Sequence, residues 1–144
     1  MIIKSIDQLL QGRSLVSVTP DATIREACTL LDRHGIGALA VLDGPRLVGI
    51  LSERDVIRRC IAAGRRTDET RVREIMTPDP QTIRRNASLA DAQTVMVEGG
   101  FRHLPVIDAI GSIVGMMSIR DVPTEYRLMV ERFREAQGAP TAAQ

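Results

Sequence analysis

The sequence predicts an α/β (α+β) fold built from two pseudo-symmetric β-α-β-β-α units, and three observations predict it. An eight-residue pattern occurs twice, "GILSERDV" at 49–56 and "GMMSIRDV" at 115–122, with Gly, Ser, Arg, Asp and Val identical in both. Self-similarity of this kind marks a duplicated structural unit. The match extends upstream: Ala22 pairs with Ala87, Ala27 with Ala92 and Gly35 with Gly100 at an offset of 65, which becomes 66 after Asp43 and Asp108. The extra residue falls in a Gly-bearing turn, where a repeated unit tolerates insertion. Within each copy, apolar residues at helical spacing give way to two short apolar runs, the pattern of a helix followed by paired strands.

Taken in order, residues 1–15 form a lead-in whose "SIDQLLQ" is a degenerate counterpart of "VREIM" before the second copy. The first unit, 16–64, opens on the short strand "VSV". Residues 23–34 then set Ile24, Ala27, Cys28 and Leu31 on one helical stripe, closed by Gly35 as a left-handed cap. "ALAVLD" and "RLVGILS" are strands joined by a tight turn, and Ser52 opens a second helix. A polar linker and the short helix "VREIM" fill 65–75. The second unit, 76–127, repeats the order, with Leu89, Ala92, Val95 and Met96 as the stripe, Gly100 as the cap, strands "HLPVID" and "SIVGMMS", and Ser118 opening a helix. The segment 128–144 completes a polar helix carrying Leu128, Met129, Phe133 and Ala136 on one side, and ends in a disordered tail, "GAPTAAQ".

Composition narrows the function classes. The chain has 144 residues and a net charge of +1, its 19 basic residues offset by 18 acidic ones, and Phe, Tyr and Trp make up only 2%. Neither a polyanion-binding surface nor base-stacking platforms are expected, so nucleic acid is not the predicted partner. Two Cys cannot make a disulfide framework and read as buried, reduced thiols. No basic leader precedes an apolar run, and no apolar run approaches the roughly 18 residues that span a bilayer; a cytoplasmic protein with no membrane association is expected. With two His, two Cys and a single Lys, neither a metal-ligand cluster nor a nucleophile with its base can be assembled. No catalytic residues and no metal site are predicted.

The S-x-x-D core of the repeated motif, Ser52 with Asp55 and Ser118 with Asp121, fits a helix capping box. The hydroxyl satisfies a free amide, and the carboxylate sits against the positive helix end. On its own this explains the motif without any ligand.

Taken together, the β-α-β-β-α order in both copies, the "LPVID" strand and the paired G-h-h-S-x-x-D motifs resemble a tandem pair of cystathionine-β-synthase (CBS) domains, a stand-alone Bateman module. The resemblance covers roughly residues 16–127. It implies two CBS units packed sheet to sheet with helices on the outer faces, and clefts between them that bind adenosine-containing regulatory ligands: AMP, ADP, ATP, NAD or S-adenosylmethionine. In this reading Asp55 and Asp121 accept both hydrogens of a ribose diol, and Ser52 and Ser118 face the phosphate at a helix N-terminus. Arg54 and Arg120 lie within the motif. Gly49 and Gly115 let a base or sugar approach the strand backbone, and Val18 and Ile83 line the base pocket. Arg102 and His103 match a basic pair that contacts phosphates in the family; the first copy has Gly37 and Ala38 there. The resemblance further implies a homodimer signalling to a separate, unidentified protein effector. The alternative is a protein-interaction scaffold with vestigial ligand clefts.

Overall fold

The structure is a computed structural model that describes residues 5–138. The chain forms two compact units. One holds the first copy, 14–81 with 111–113; the other holds the second copy together with the N-terminal lead-in, 5–13, 82–110 and 114–138 among the described residues.

In the first-copy unit, β1 (Ser17–Val18) runs parallel to β2 (Ala38–Asp43), which pairs antiparallel with β3 (Arg46–Ser52). Between β1 and β2 lies helix α1 (Ile24–His34). Thr23 and Glu26 form a full capping box at its start, and Gly35 ends it at φ 60°, ψ 38°, a conformation that costs glycine nothing. After β3 the chain turns into α2 (Glu53–Asp55), continued by a π-helical stretch, Val56–Ile61. Its widened turns are visible in the bond from the Ala62 N–H to the Ile57 carbonyl, 2.7 Å. Val56 and Cys60 face the core, leaving Ile57 and Ile61 exposed.

The unit does not end where the first copy ends. Helix α3 (Val72–Ile75) buries Val72 and Ile75, and β4 (Thr77–Pro78) adds a fourth strand, setting Gly49 opposite Pro78 and Ile50 opposite Thr77. Residues 76–81 pack with the first-copy unit as well. The reason is apolar burial: Val72 and Ile75 join the core of Ile24, Leu31, Leu39, Val41 and Leu51.

The second-copy unit mirrors this plan with the other lead-in. Helix α4 (Ile6–Leu10), in chain order the first of the described elements, is capped by Ser5 and Gln8 and buries Ile6. It packs with β5 (Ile83–Arg84), α5 (Leu89–Gly99), β6 (His103–Ile107) and β7 (Ile113–Ser118), whose strands lie in the order β5-β6-β7. Gly100 caps α5 at φ 71°. The two cores match position for position: Val18 with Ile83, Ile24 with Leu89, Ala27 with Ala92, Leu31 with Met96, Leu39 with Leu104, Val41 with Val106 and Leu51 with Met117. The lead-ins match as well, Ile6 standing for Val72 and Leu10 for Met76, but each segment packs on the copy it does not adjoin at its C-terminal end.

One expected helix is only a turn. Ser118 opens a single 3-10 turn, Ile119–Asp121, after which Val122 is extended at ψ 123°. Pro123 is the cause, since a residue before proline is driven out of the helical region. The helix resumes as α6 (Thr124–Ala136), leaving Leu128, Met129 and Phe133 exposed. All but the first residue of the expected disordered tail lies outside the described residues. Cys60 is fully buried, whereas Cys28 is only half-buried; both are free thiols.

Candidate functional site

Each unit places its S-x-x-D motif at the end of the central hairpin's second strand, where the chain enters a helical turn. In the first-copy unit the Asp55 N–H donates to the Ser52 hydroxyl at 3.1 Å, and the Ser52 N–H donates to Asp55 Oδ2 at 3.0 Å. The Glu53 N–H is taken by the Gly37 carbonyl at 2.9 Å. In the second-copy unit the Ser118 N–H donates to Asp121 Oδ2 at 2.8 Å, the Arg120 N–H to the Ser118 hydroxyl at 3.2 Å, and the Ile119 N–H to the Arg102 carbonyl at 2.8 Å. The capping box is thus formed in both copies. The backbone bridge from the motif to the residue before the "LPV" strand is repeated as well, so Arg102 stands beside Ser118 as Gly37 stands beside Ser52.

The two aspartates are equally sheltered, 13% of the Asp55 side chain and 15% of Asp121 remaining exposed. Their partners differ. Asp121 is gripped by Arg13, whose Nη1 donates to Oδ2 at 3.1 Å and whose Nη2 donates to Oδ1 at 2.8 Å. This fork-to-fork pairing raises the affinity of the Arg13 guanidinium for its proton further, chiefly through the hydrogen bonds. Among the described residues the one cation paired with Asp55 is Arg59, its Nε 3.9 Å from Oδ1, too far for a hydrogen bond. Nothing in the sequence singled out Arg13. The one signal available was the lead-in alignment, which sets Arg13 against Asp79 and so reverses the charge between the two copies.

The two glycines and the two strand residues have defined packing roles in the structure. A Cβ at Gly49 would meet Met76 Sδ at 2.6 Å and the Thr77 carbonyl oxygen at 3.0 Å; one at Gly115 would meet Leu10 Cδ2 at 2.8 Å. Each glycine thus permits a close approach of the lead-in segment. Val18 and Ile83 are buried members of the two cores, so their side chains serve packing. Arg54, Arg102 and Arg120 are exposed, and His103 is half-buried at the start of β6. Among the described residues no group of three or more His, Cys, Asp or Glu could hold a metal ion, and no helix is long and apolar enough to cross a membrane.

The CBS domain family matches residues 8–62 and 72–125. A 17.7 kDa protein of Acidianus ambivalens is 39% identical over 106 residues, 73% of this chain and 63% of that protein. The CBS domain-containing protein YhcV of Bacillus subtilis is 34% identical, covering 75% of this chain and 76% of its own length. Among solved structures, a CBS domain protein of Pyrobaculum aerophilum complexed with AMP superposes with a TM-score of 0.76 at 29% identity, covering 90% of this chain and 99% of that one.

Proposed function

The chain belongs to the CBS domain family as a tandem pair, and from that premise we propose that it is a non-catalytic regulatory protein binding an adenosine-containing ligand. The candidates are AMP, ADP, ATP, NAD and S-adenosylmethionine. The observation that carries the reading is that one serine–aspartate device recurs at the matching place in both copies, each aspartate accepting from its serine N–H. The AMP complex of the related Pyrobaculum protein supports the ligand class. In this reading Asp55 and Asp121 receive the ribose hydroxyls, Ser52 and Ser118 face the phosphate side, and Arg102, His103, Arg54 and Arg120 supply donors and positive charge around it. A bound ligand shifts the chain between conformations only by its different affinity for them, and a homodimer passes that difference to a separate effector protein.

A scaffold with vestigial ligand sites is favoured by one observation: both carboxylates are already used as caps, and both glycine faces are filled. A thermal-shift screen against the five ligands, followed by titration calorimetry, separates the two readings. A rise in Tm with at least one ligand is expected. Indifference to all of them would leave the scaffold.

A further inference from the structure

Resting on that reading, we propose that Arg13 is a built-in competitor for the ribose diol at Asp121, so that the two copies take an adenosine-type ligand in order, the Asp55 copy first. A carboxylate offers about four lone-pair positions. Asp121 has committed three: Oδ2 accepts from the Ser118 N–H and Arg13 Nη1, and Oδ1 from Arg13 Nη2. A diol donating two hydrogen bonds needs two positions, so it enters only by displacing an arm of Arg13. Asp55 has committed one, to the Ser52 N–H, and can receive a diol as it stands. Burial does not account for the difference, because the two side chains are exposed almost equally. It comes from the lead-ins. Arg13 sits at the end of the segment that packs on the second copy, and the segment packed on the first copy has Asp79 in the matching place. Asp79 is the one non-glycine residue with positive φ among those described, at 45°, and it offers Asp55 no cation.

Calorimetric titration with AMP tests this in four forms: Asp55→Ala, which leaves Asp121 as the acceptor; Asp55→Ala with Arg13→Ala; Asp121→Ala; and Asp121→Ala with Arg13→Ala. Removing Arg13 from the Asp55→Ala protein is expected to tighten AMP about three- to tenfold, the range a half-exposed bidentate pair supports. The same removal in the Asp121→Ala protein should leave affinity unchanged, and Arg13→Lys, which loses the fork, should tighten binding by less. A role confined to holding the lead-in would lower Tm without tightening AMP, and that result overturns the proposal. Weaker AMP binding after Arg13→Ala overturns it too, making Arg13 a ligand contact. Both outcomes leave the ligand-sensing reading standing. Asp55→Ala combined with Asp121→Ala is titrated as a further form; AMP binding that survives in it removes the diol role, and the competitor with it.

Discussion

Arg102 and the paired glycines are the positions where single side chains decide most. Arg102 is exposed beside Ser118, its carbonyl already bonded to the Ile119 N–H, so its guanidinium is free to reach a phosphate without disturbing the backbone. Arg102→Ala should weaken AMP roughly tenfold or more, a charge-assisted hydrogen bond contributing about 1.5–3 kcal/mol. Plain adenosine, titrated in parallel, should lose little; equal losses for both would assign Arg102 to the fold. Gly49 and Gly115 predict a contrast in stability. At Gly49 an added methyl meets the Thr77 carbonyl as well as Met76 Sδ, in a strand pair that cannot shift freely. At Gly115 the nearest atoms it meets belong to the end of the Leu10 side chain, which can rotate away. Denaturant unfolding should show Gly49→Ala losing about 1–3 kcal/mol and Gly115→Ala less than about 1 kcal/mol.

At the scale of elements, the short helix α3 adds polar contacts at its start to the core burial of Val72 and Ile75. The Glu74 carboxylate accepts from the Arg71 N–H at 2.6 Å and pairs with Arg65 Nη2 at 2.5 Å, and these contacts, the backbone bond foremost, hold its carboxyl below the ordinary range. A lowered carboxyl pKa stabilises the fold above the unfolded value and stops doing so as pH falls through the folded one. The Tm gap between wild type and Glu74→Gln should therefore be present at pH 7 and close progressively below about pH 4.5. Glutamine retains the capping geometry, so a gap that did not change with acid would assign the effect to packing. The longer elements were legible in the sequence. The stripes of α1 and α5, their capping residues, the two left-handed glycines and the strand pairs all follow from local periodicity and turn chemistry. The Ser118 helix was misread because the capping signal was weighed without Pro123 five residues on. The destinations of α3 and α4 were not legible either. A helix of four or five residues carries too few apolar positions to name its partner. Arg13 was missed because its pairing with Asp121 spans 108 residues.

At the scale of the whole molecule, apolar side chains remain uncovered in both units. Ile57 and Ile61 on the π-helical stretch, and Met129 and Phe133 on α6, are each more than half exposed, more than scattered surface residues require. Their burial in a second copy of the chain is the expected outcome. Light scattering at micromolar concentration should return twice the chain mass, and Ile57→Asp combined with Phe133→Asp should reduce it to one. A single-chain mass for the wild type would overturn the dimer.

Exchanged lead-ins also set the order in which the chain can reach this state. Almost all of the first-copy unit lies in one continuous stretch, 14–81, within which α3 returns to the residues before α1. The second-copy unit must bring 5–13 back to residues beyond 82, so it cannot close until that later stretch exists. During synthesis all of the first unit but residues 111–113 is present once residue 81 has emerged. Helix α4, made before it, carries the apolar side chains of Ile6 and Leu10 with nothing to receive them until the second copy has followed. The first of these elements to be made is among the last to be placed.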